Sequence, residues 1–393
     1  MKYLAVVNRK FSDNPSGSAR VAWDIACLVR DAGNEVCVLC HSTALSDEQS
    51  KKTLEDGITI IRVGLMRGQF FHRRRYVRSI GIALATHLED YSPDLIHIHS
   101  LSIGEATIAS LGADKTYVAT VHSPVIPETR LNWEIQGLLG RAKIALGGLF
   151  LLGRLQDRVL RSCKRIHVLS DYTLKELVRY SRSLPATFVI PHWRRNDLVR
   201  RHTKAEARLE LSWPDGDRIL FSLRRMVPRM GHETAIRAIA PLLEKYNARL
   251  VLAGDGPLRE TLQVLASTLP GGDRVFFPGR ISDQSMRLMY SGADLFVLPT
   301  AALECFGLII IEALSYGCPV LGTNVGAIPE ALDSVLPGFL VDPNDVDQLR
   351  ERVDAILSYR LIPPEASEIS AYVESRYGKD KIGPEILSFL AGS

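Results

Sequence analysis

Short, largely apolar runs alternate with longer helix-periodic segments along this chain, and the series occurs twice. LAVVN (4–8), EVCVLC (35–40), TIIRV (59–63), PDLIHIHS (93–100), VATVHSP (118–124), RIHVL (165–169) and ATFVIPHW (186–193) make up the first. RILFSL (218–223), ARLVLA (248–253), VFFPG (275–279) and LFVLPT (295–300) begin the second. A run apolar on both faces belongs inside a covered sheet, and strands separated by helices pair in parallel. The pattern predicts an α/β chain of two Rossmann-like, doubly wound domains, for which 393 residues are long enough. The polar stretch RRNDLVRRHT (194–203) reads as the linker. The expected boundaries are 1–195 and 196–370, with the helical remainder 371–393 returning to the first domain.

Charge narrows the partners. The net value is only +4, but residues 1–200 carry 28 Lys+Arg against 19 Asp+Glu, and residues 201–393 carry 20 against 25. So small a total argues against a dedicated nucleic-acid binder, while a basic first half and an acidic second half suit either two domains facing each other across a cleft or a first half that meets anionic material. Cys37 and Cys40 form a CxxC inside an apolar strand, where the two thiols point to opposite faces; neither a redox pair nor a zinc knuckle is expected. The apolar part of MKYLAVVNRK is too short for a signal peptide, and the longest apolar run, 144–153, is about half a membrane span. The expected location is cytoplasmic.

Chemistry concentrates in LPTAALECFGLIIIEALSYGCPVLGTNVGAIPE (298–330). Gly307 at a loop-to-helix junction puts Glu304 in the loop and Glu312 inside the helix, with the backbone N–H groups of Phe306, Gly307 and Leu308 free between them. A helix start of this kind attracts phosphate, and two carboxylates beside it suit a ligand with many hydroxyls. Arg224, Arg225 and Arg229 lie between a strand end and a helix start, where guanidinium groups can clamp a diphosphate. Gly254, Gly256 and Pro257 fix a turn after the next strand. In the first half, Gly17 and Ser18 follow the first strand and present backbone without bulk, but the loop lacks the G-x-G-x-x-G of a dinucleotide fingerprint. His122 ends a buried strand, where an open α/β sheet binds its ligands. Two basic segments keep two readings each. RGQFFHRRRYVR (67–78) is a solvated helix face or a contact for anionic lipid or a phosphorylated acceptor. The helical stretch 137–164, with Leu152, Leu155 and Val159 opposite Arg154, Arg158 and Arg161, is a core helix or a peripheral membrane contact.

The order of PDLIHIHS, VHSP, HVLSDYT, the arginine loop, LAGDGPLRETL, FFPGR and the glutamate motif resembles the retaining glycosyltransferases of family 4, which have the GT-B fold. The resemblance implies two domains facing a central cleft, a nucleoside-diphosphate sugar held mainly by the second domain, and a glycan, lipid-linked or small-molecule acceptor at the first. It assigns Glu304 to the donor sugar's hydroxyls and Glu312 to the ribose. Phe306, Gly307 and Leu308 fall to the sugar and diphosphate, Arg225 to the leaving group, the main chain near Arg280 to the base, and His122 to the donor sugar. No cofactor or metal is implied, and no Asp-x-Asp is placed to hold one. The chain departs from the pattern twice: Ser123 follows His122 where Asp is usual, and Met230 stands where a lysine is usual. A nucleotide-sugar epimerase or hydrolase, or a low-activity binding protein of the same fold, is the alternative.

Overall fold

The computed structural model of the chain describes residues 1–9, 16–65, 73–89, 91–135, 137–145, 147–195 and 202–392. Asn14 and Pro15 of the first loop, the 67–72 part of the basic segment and the 196–201 part of the expected linker lie outside them. The chain forms two compact units, Met1–His192 with Ile382–Ser393, and Trp193–Lys381.

The first unit runs β1 (Lys2–Val7), α1 (Gly17–Asp31), β2 (Glu35–Ser42), β3 (Ser50–Glu55), β4 (Ile58–Gly64), α2 (Arg73–His87), β5 (Leu95–Ile98), α3 (Leu101–Leu111), β6 (Tyr117–Val121), α4 (Val125–Ile135), α5 (Leu138–Ala145), α6 (Gly148–Ser162), β7 (Arg165–Val168), α7 (Asp171–Tyr180) and β8 (Ala186–Val189). Its sheet is ordered β3-β4-β2-β1-β5-β6-β7-β8, parallel except for β3. Six of the apolar runs are inner strands, as their burial requires, and ATFVIPHW supplies the exposed edge strand β8. Strand β3 was not expected, because SKKTLE is an edge and reads as polar. Its hairpin with β4 turns on Asp56-Gly57, with φ of 50° and 75°, the left-handed pair a two-residue hairpin needs. The stretch 137–164 is not one helix. Gly147, at φ 76°, separates α5 from α6. A Cβ on Gly148 would lie 2.7 Å from Trp133, so α6 starts hard against α4. The inward side of α6 is Leu152, Gln156, Val159 and Leu160, with Arg154, Arg158 and Arg161 outside.

The second unit runs α8 (Lys204–Glu210), β9 (Arg218–Leu223), α9 (His232–Ile239), β10 (Ala248–Ala253), α10 (Arg259–Ser267), β11 (Val275–Gly279), α11 (Asp283–Gly292), β12 (Leu295–Leu298), α12 (Leu308–Ser315), β13 (Val320–Thr323), α13 (Ile328–Leu332), β14 (Leu340–Val341), α14 (Val346–Leu357) and α15 (Ala366–Tyr377). A last helix, α16 (Lys379–Ala391), passes from this unit into the first. The sheet is parallel and ordered β11-β10-β9-β12-β13-β14. Its winding reverses between β9 and β12, which makes the loops after those two strands the walls of a crevice. Helix α8, also unexpected, carries a capping box between Thr203 and Glu206. Helix α9 ends sooner than its pattern suggests, because a tight turn carrying Pro241 follows at 240–242.

A polar row crosses the core of the first unit. Tyr3 Oη meets His97 Nδ1 at 2.7 Å, His97 Nε2 meets Thr120 Oγ1 at 2.7 Å, Thr120 meets His167 Nδ1 at 3.0 Å, and His167 Nε2 donates to the Ile190 carbonyl at 2.7 Å. Phe389 of α16 packs on this row, with ring centroids 6.2 Å from His97 and 5.6 Å from His167.

Candidate functional site

In the second unit the loop after β9 and the loop after β12 are stitched together. The N–H groups of Ala301 and Ala302 donate to the Arg229 carbonyl at 2.9 and 3.3 Å, and Arg229 Nη1 donates to the Leu303 carbonyl at 2.8 Å. Gly231, at φ 72°, passes so close to Pro299 that a Cβ would lie 1.7 Å from its carbonyl oxygen. Behind them, a Cβ on Gly254 would lie 2.0 Å from the Arg224 carbonyl oxygen; Gly254 therefore holds the arginine loop in place by letting it approach. Arg280 is almost wholly exposed, its Nε 3.7 Å from Asp255.

Gly307, at φ 79° and ψ 52°, caps α12, so Glu304 lies in the loop and Glu312 in the helix, as the spacing predicts. The N–H groups of Phe306, Gly307 and Leu308 meet no acceptor among the described residues. Glu304 is fixed by its backbone: its carbonyl accepts from the Ala327 N–H at 2.8 Å, and Gly326, at φ 61°, leaves no room there for a Cβ. Leu303, just before it, holds a left-handed φ of 63°, a strained conformation for a branched side chain. Glu312 is half-buried near Tyr290, whose phenol is raised well above its ordinary value by burial and then by that carboxylate.

The three arginines take different places. Arg224 Nη2 donates to Glu304 Oε2 at 2.8 Å and lies 2.7 Å from Met230 Sδ. This side chain is only 8% exposed, Glu304 16%, and the Arg224 Nη1 atom is buried without a partner. Arg225 is exposed, and its guanidinium makes no hydrogen bond among the described residues. Its carbonyl accepts from His232 Nε2 at 3.3 Å. Burial pushes His232 down to about 4. Arg229 is committed to the Leu303 carbonyl. The fold thus gathers Arg224, Met230, Glu304, Arg229 and the start of α12, and leaves Arg225 reaching outward.

In the first unit Gly17 and Ser18 are not loop residues; they are the exposed first turn of α1, which Ser16 caps by accepting from the Ala19 N–H at 3.3 Å. The expected loop geometry gives way because a serine ahead of a helical pattern is a strong cap. His122 follows β6 and is paired with His99, which follows the neighbouring β5: His99 Nδ1 and His122 Nε2 are 3.0 Å apart. Burial, then His167 and His192, pushes His122 down to about 3, and burial with the neighbouring imidazoles holds His99 well below its ordinary value. Both rings are neutral. A hydrogen bond between two neutral imidazoles leaves one protonated and one bare nitrogen on the outside. Those nitrogens, His99 Nε2 and His122 Nδ1, are buried and without a partner. His99 was not singled out in the sequence, although its place at the end of β5 offered the same signal as His122. Within the CxxC, burial pushes the Cys37 thiol up to about 12, which disfavours the reactive thiolate there.

Residues 203–375 match the family described as Glycosyl transferases group 1, and residues 15–193 match Glycosyltransferase Family 4. An uncharacterized glycosyltransferase of Methanocaldococcus jannaschii is 32% identical over 39% of this chain and 40% of its own length. The GDP-mannose-dependent alpha-(1-6)-phosphatidylinositol monomannoside mannosyltransferase of Mycobacterium tuberculosis is 29% identical over 50% of this chain and 53% of its own. The chain therefore spans about half the length of these curated relatives. Among solved structures, sucrose-phosphate synthase from Thermosynechococcus elongatus superposes with a TM-score of 0.79 at 19% identity, covering 100% of both chains. Anabaena HepE in complex with UDP and glucose does so at 0.75 and 19%, also covering 100% of both. The structural likeness establishes the GT-B fold, and with the two family matches tiling its two halves, the chain belongs to the group 1, family 4 glycosyltransferases.

Proposed function

We propose that the crevice between the loops after β9 and β12 binds a nucleoside-diphosphate sugar, and that the protein transfers the glycosyl group to an acceptor hydroxyl with retention at the anomeric carbon. The observation that carries this reading is Glu304 held by Arg224 at 2.8 Å, two residues ahead of the free N–H groups that open α12. The carboxylate suits sugar hydroxyls, and the N–H groups with the outward Arg225 suit a diphosphate. The relative named for GDP-mannose and the neighbour solved with UDP support the donor class.

In the step itself the bond from the anomeric carbon to the diphosphate breaks, the acceptor oxygen bonds to that carbon, and the acceptor's proton passes to the departing phosphate. Fixed guanidinium groups and helix-end N–H donors stabilise the departing charge, which makes the reaction metal-independent in this proposal. The acceptor is a glycan, a lipid-linked sugar or a small molecule. Thermal-shift binding against a panel of nucleoside diphosphates and their sugars tests the donor class: one nucleotide series is expected to raise the melting temperature. Glu304→Gln is expected to keep the fold and abolish release of nucleoside diphosphate from the sugar donor. A flat panel, or a folded and fully active variant, overturns the reading.

A further inference from the structure

His99 and His122 stand beside the buried polar row of the first unit, and that row fixes what is available to them. Its direction is set at one end. The Ile190 carbonyl can only accept, so His167 carries its hydrogen on Nε2 and its Nδ1 is bare. Thr120 therefore donates to His167 Nδ1 at 3.0 Å and accepts from His97 Nε2 at 2.7 Å, and Tyr3 donates to the bare His97 Nδ1 at 2.7 Å. Both nitrogens of His97 are thus engaged within the row. His99 packs on this fixed ring, with centroids 4.0 Å apart, and its backbone N–H donates to the Val6 carbonyl at 2.8 Å. The hydrogen-bonding partner that the described residues give its own ring is His122, 3.0 Å away.

Neither ring is charged, so a single hydrogen lies between His99 Nδ1 and His122 Nε2. If His99 donated it, both rings would carry their hydrogens on Nδ1, the less stable tautomer of an imidazole side chain. If His122 donates it, both carry them on Nε2, the more stable one. The second arrangement is favourable for both rings at once. It leaves His122 Nδ1 as a bare acceptor, buried and without a partner on a residue that is itself only half-buried. A buried acceptor without a donor costs free energy until a ligand supplies one. A hydroxyl can, and His122 follows β6 at the carboxyl end of a parallel sheet, where such sheets bind their ligands.

We propose that His99 is a positioning residue: by accepting from His122 Nε2 it fixes the ring and the tautomer of His122, so that Nδ1 is presented as a hydrogen-bond acceptor to a sugar hydroxyl. The sugar rests on the nucleotide-sugar reading above, whereas the pairing does not. His99 itself touches no substrate and acts through His122.

The first test needs no ligand. In the full chain carrying isotope-labelled histidine, proton–nitrogen NMR spectra are expected to show His122 with its hydrogen on Nε2 and a bare Nδ1, the signals being assigned by their loss in His122→Gln. His99→Leu is expected to shift the His122 Nε2 signal, which has lost its acceptor. His99→Asn, whose side-chain oxygen stands where Nδ1 was, is expected to return it toward the wild-type position. A hydrogen on His122 Nδ1 in the wild type, or a His122 spectrum indifferent to His99→Leu, overturns the pairing. The second test compares the dissociation constants of GDP with GDP-mannose and of UDP with UDP-glucose. In the series that binds, His99→Leu is expected to weaken the sugar nucleotide about two- to tenfold, the range of one neutral hydrogen bond, and to leave the nucleoside diphosphate unchanged; His99→Asn is expected to restore it. Equal weakening of both, as a purely structural role would give, or no weakening of either, overturns the positioning role. If neither series binds the wild type, the activity proposed above fails, and the spectra still decide the pairing.

Discussion

Arg224 lies beside Met230, the departure from the family pattern in the arginine loop. Where the family pattern has a lysine, Met230 places its sulfur at the position of a lysine's third side-chain carbon, and Arg224 Nη2 sits 2.7 Å from that sulfur. In the proposed reading, the cation that reaches in from position 224 takes the part of a lysine at 230. Arg224→Ala is therefore expected to weaken nucleoside diphosphate binding about ten- to a hundredfold, the range of a charge-assisted hydrogen bond. Adding Met230→Lys is expected to recover most of the loss; calorimetry showing the double variant as weak as the single one sinks the substitution argument. The sequence offers Arg224 as a clamp residue beside the missing lysine, but not the contacts that its guanidinium makes. The places of Glu304, Gly307 and Glu312 follow from spacing along one continuous segment. The Arg224 contact depends on a rotamer and on a carboxylate 80 residues away.

At the scale of elements, the site is rigid because two loops share their backbone hydrogen bonds. Gly231 marks the tightest approach, with no space between it and Pro299 for a methyl group. Gly231→Ala adds that methyl group and also strains a left-handed φ of 72°. The expected cost is about 1–3 kcal/mol of stability, together with a weaker nucleotide affinity as the loops part. Denaturant unfolding and calorimetry on the same variant measure both, and an unchanged midpoint removes the glycine from the argument. The central strands were legible: β9 and β10 coincide with RILFSL and ARLVLA, because a strand buried on both faces has no other way to be written. Strand β3 and the break between α5 and α6 were not. An edge strand is free to be polar, and the amphipathic pattern of 137–164 says nothing of the left-handed turn at Gly147.

Across the whole molecule, the two units respond differently to acid. The first holds His97, His99, His122 and His167 neutral by burial, the last two pushed down to about 3 and about 4. In the unfolded chain these groups take up protons near pH 6.5. Their folded values are depressed, so the stability they confer is full above that pH and is lost as pH falls toward the folded values, by up to about 1.4 kcal/mol per pH unit for each group. The first unit's melting temperature is expected to drop steeply between pH 6.5 and 5, and His122→Gln to flatten that slope; an unchanged melting temperature across the window contradicts the neutral assignment. The covering of the histidine row by Phe389 has a further bearing on how the chain is made. Residues 193–381 are synthesised between the sheet of the first unit and the helix that completes it. On the ribosome, the part of the protein that emerges earliest is consequently the last to be finished, and its polar seam waits uncovered until the second unit has been translated.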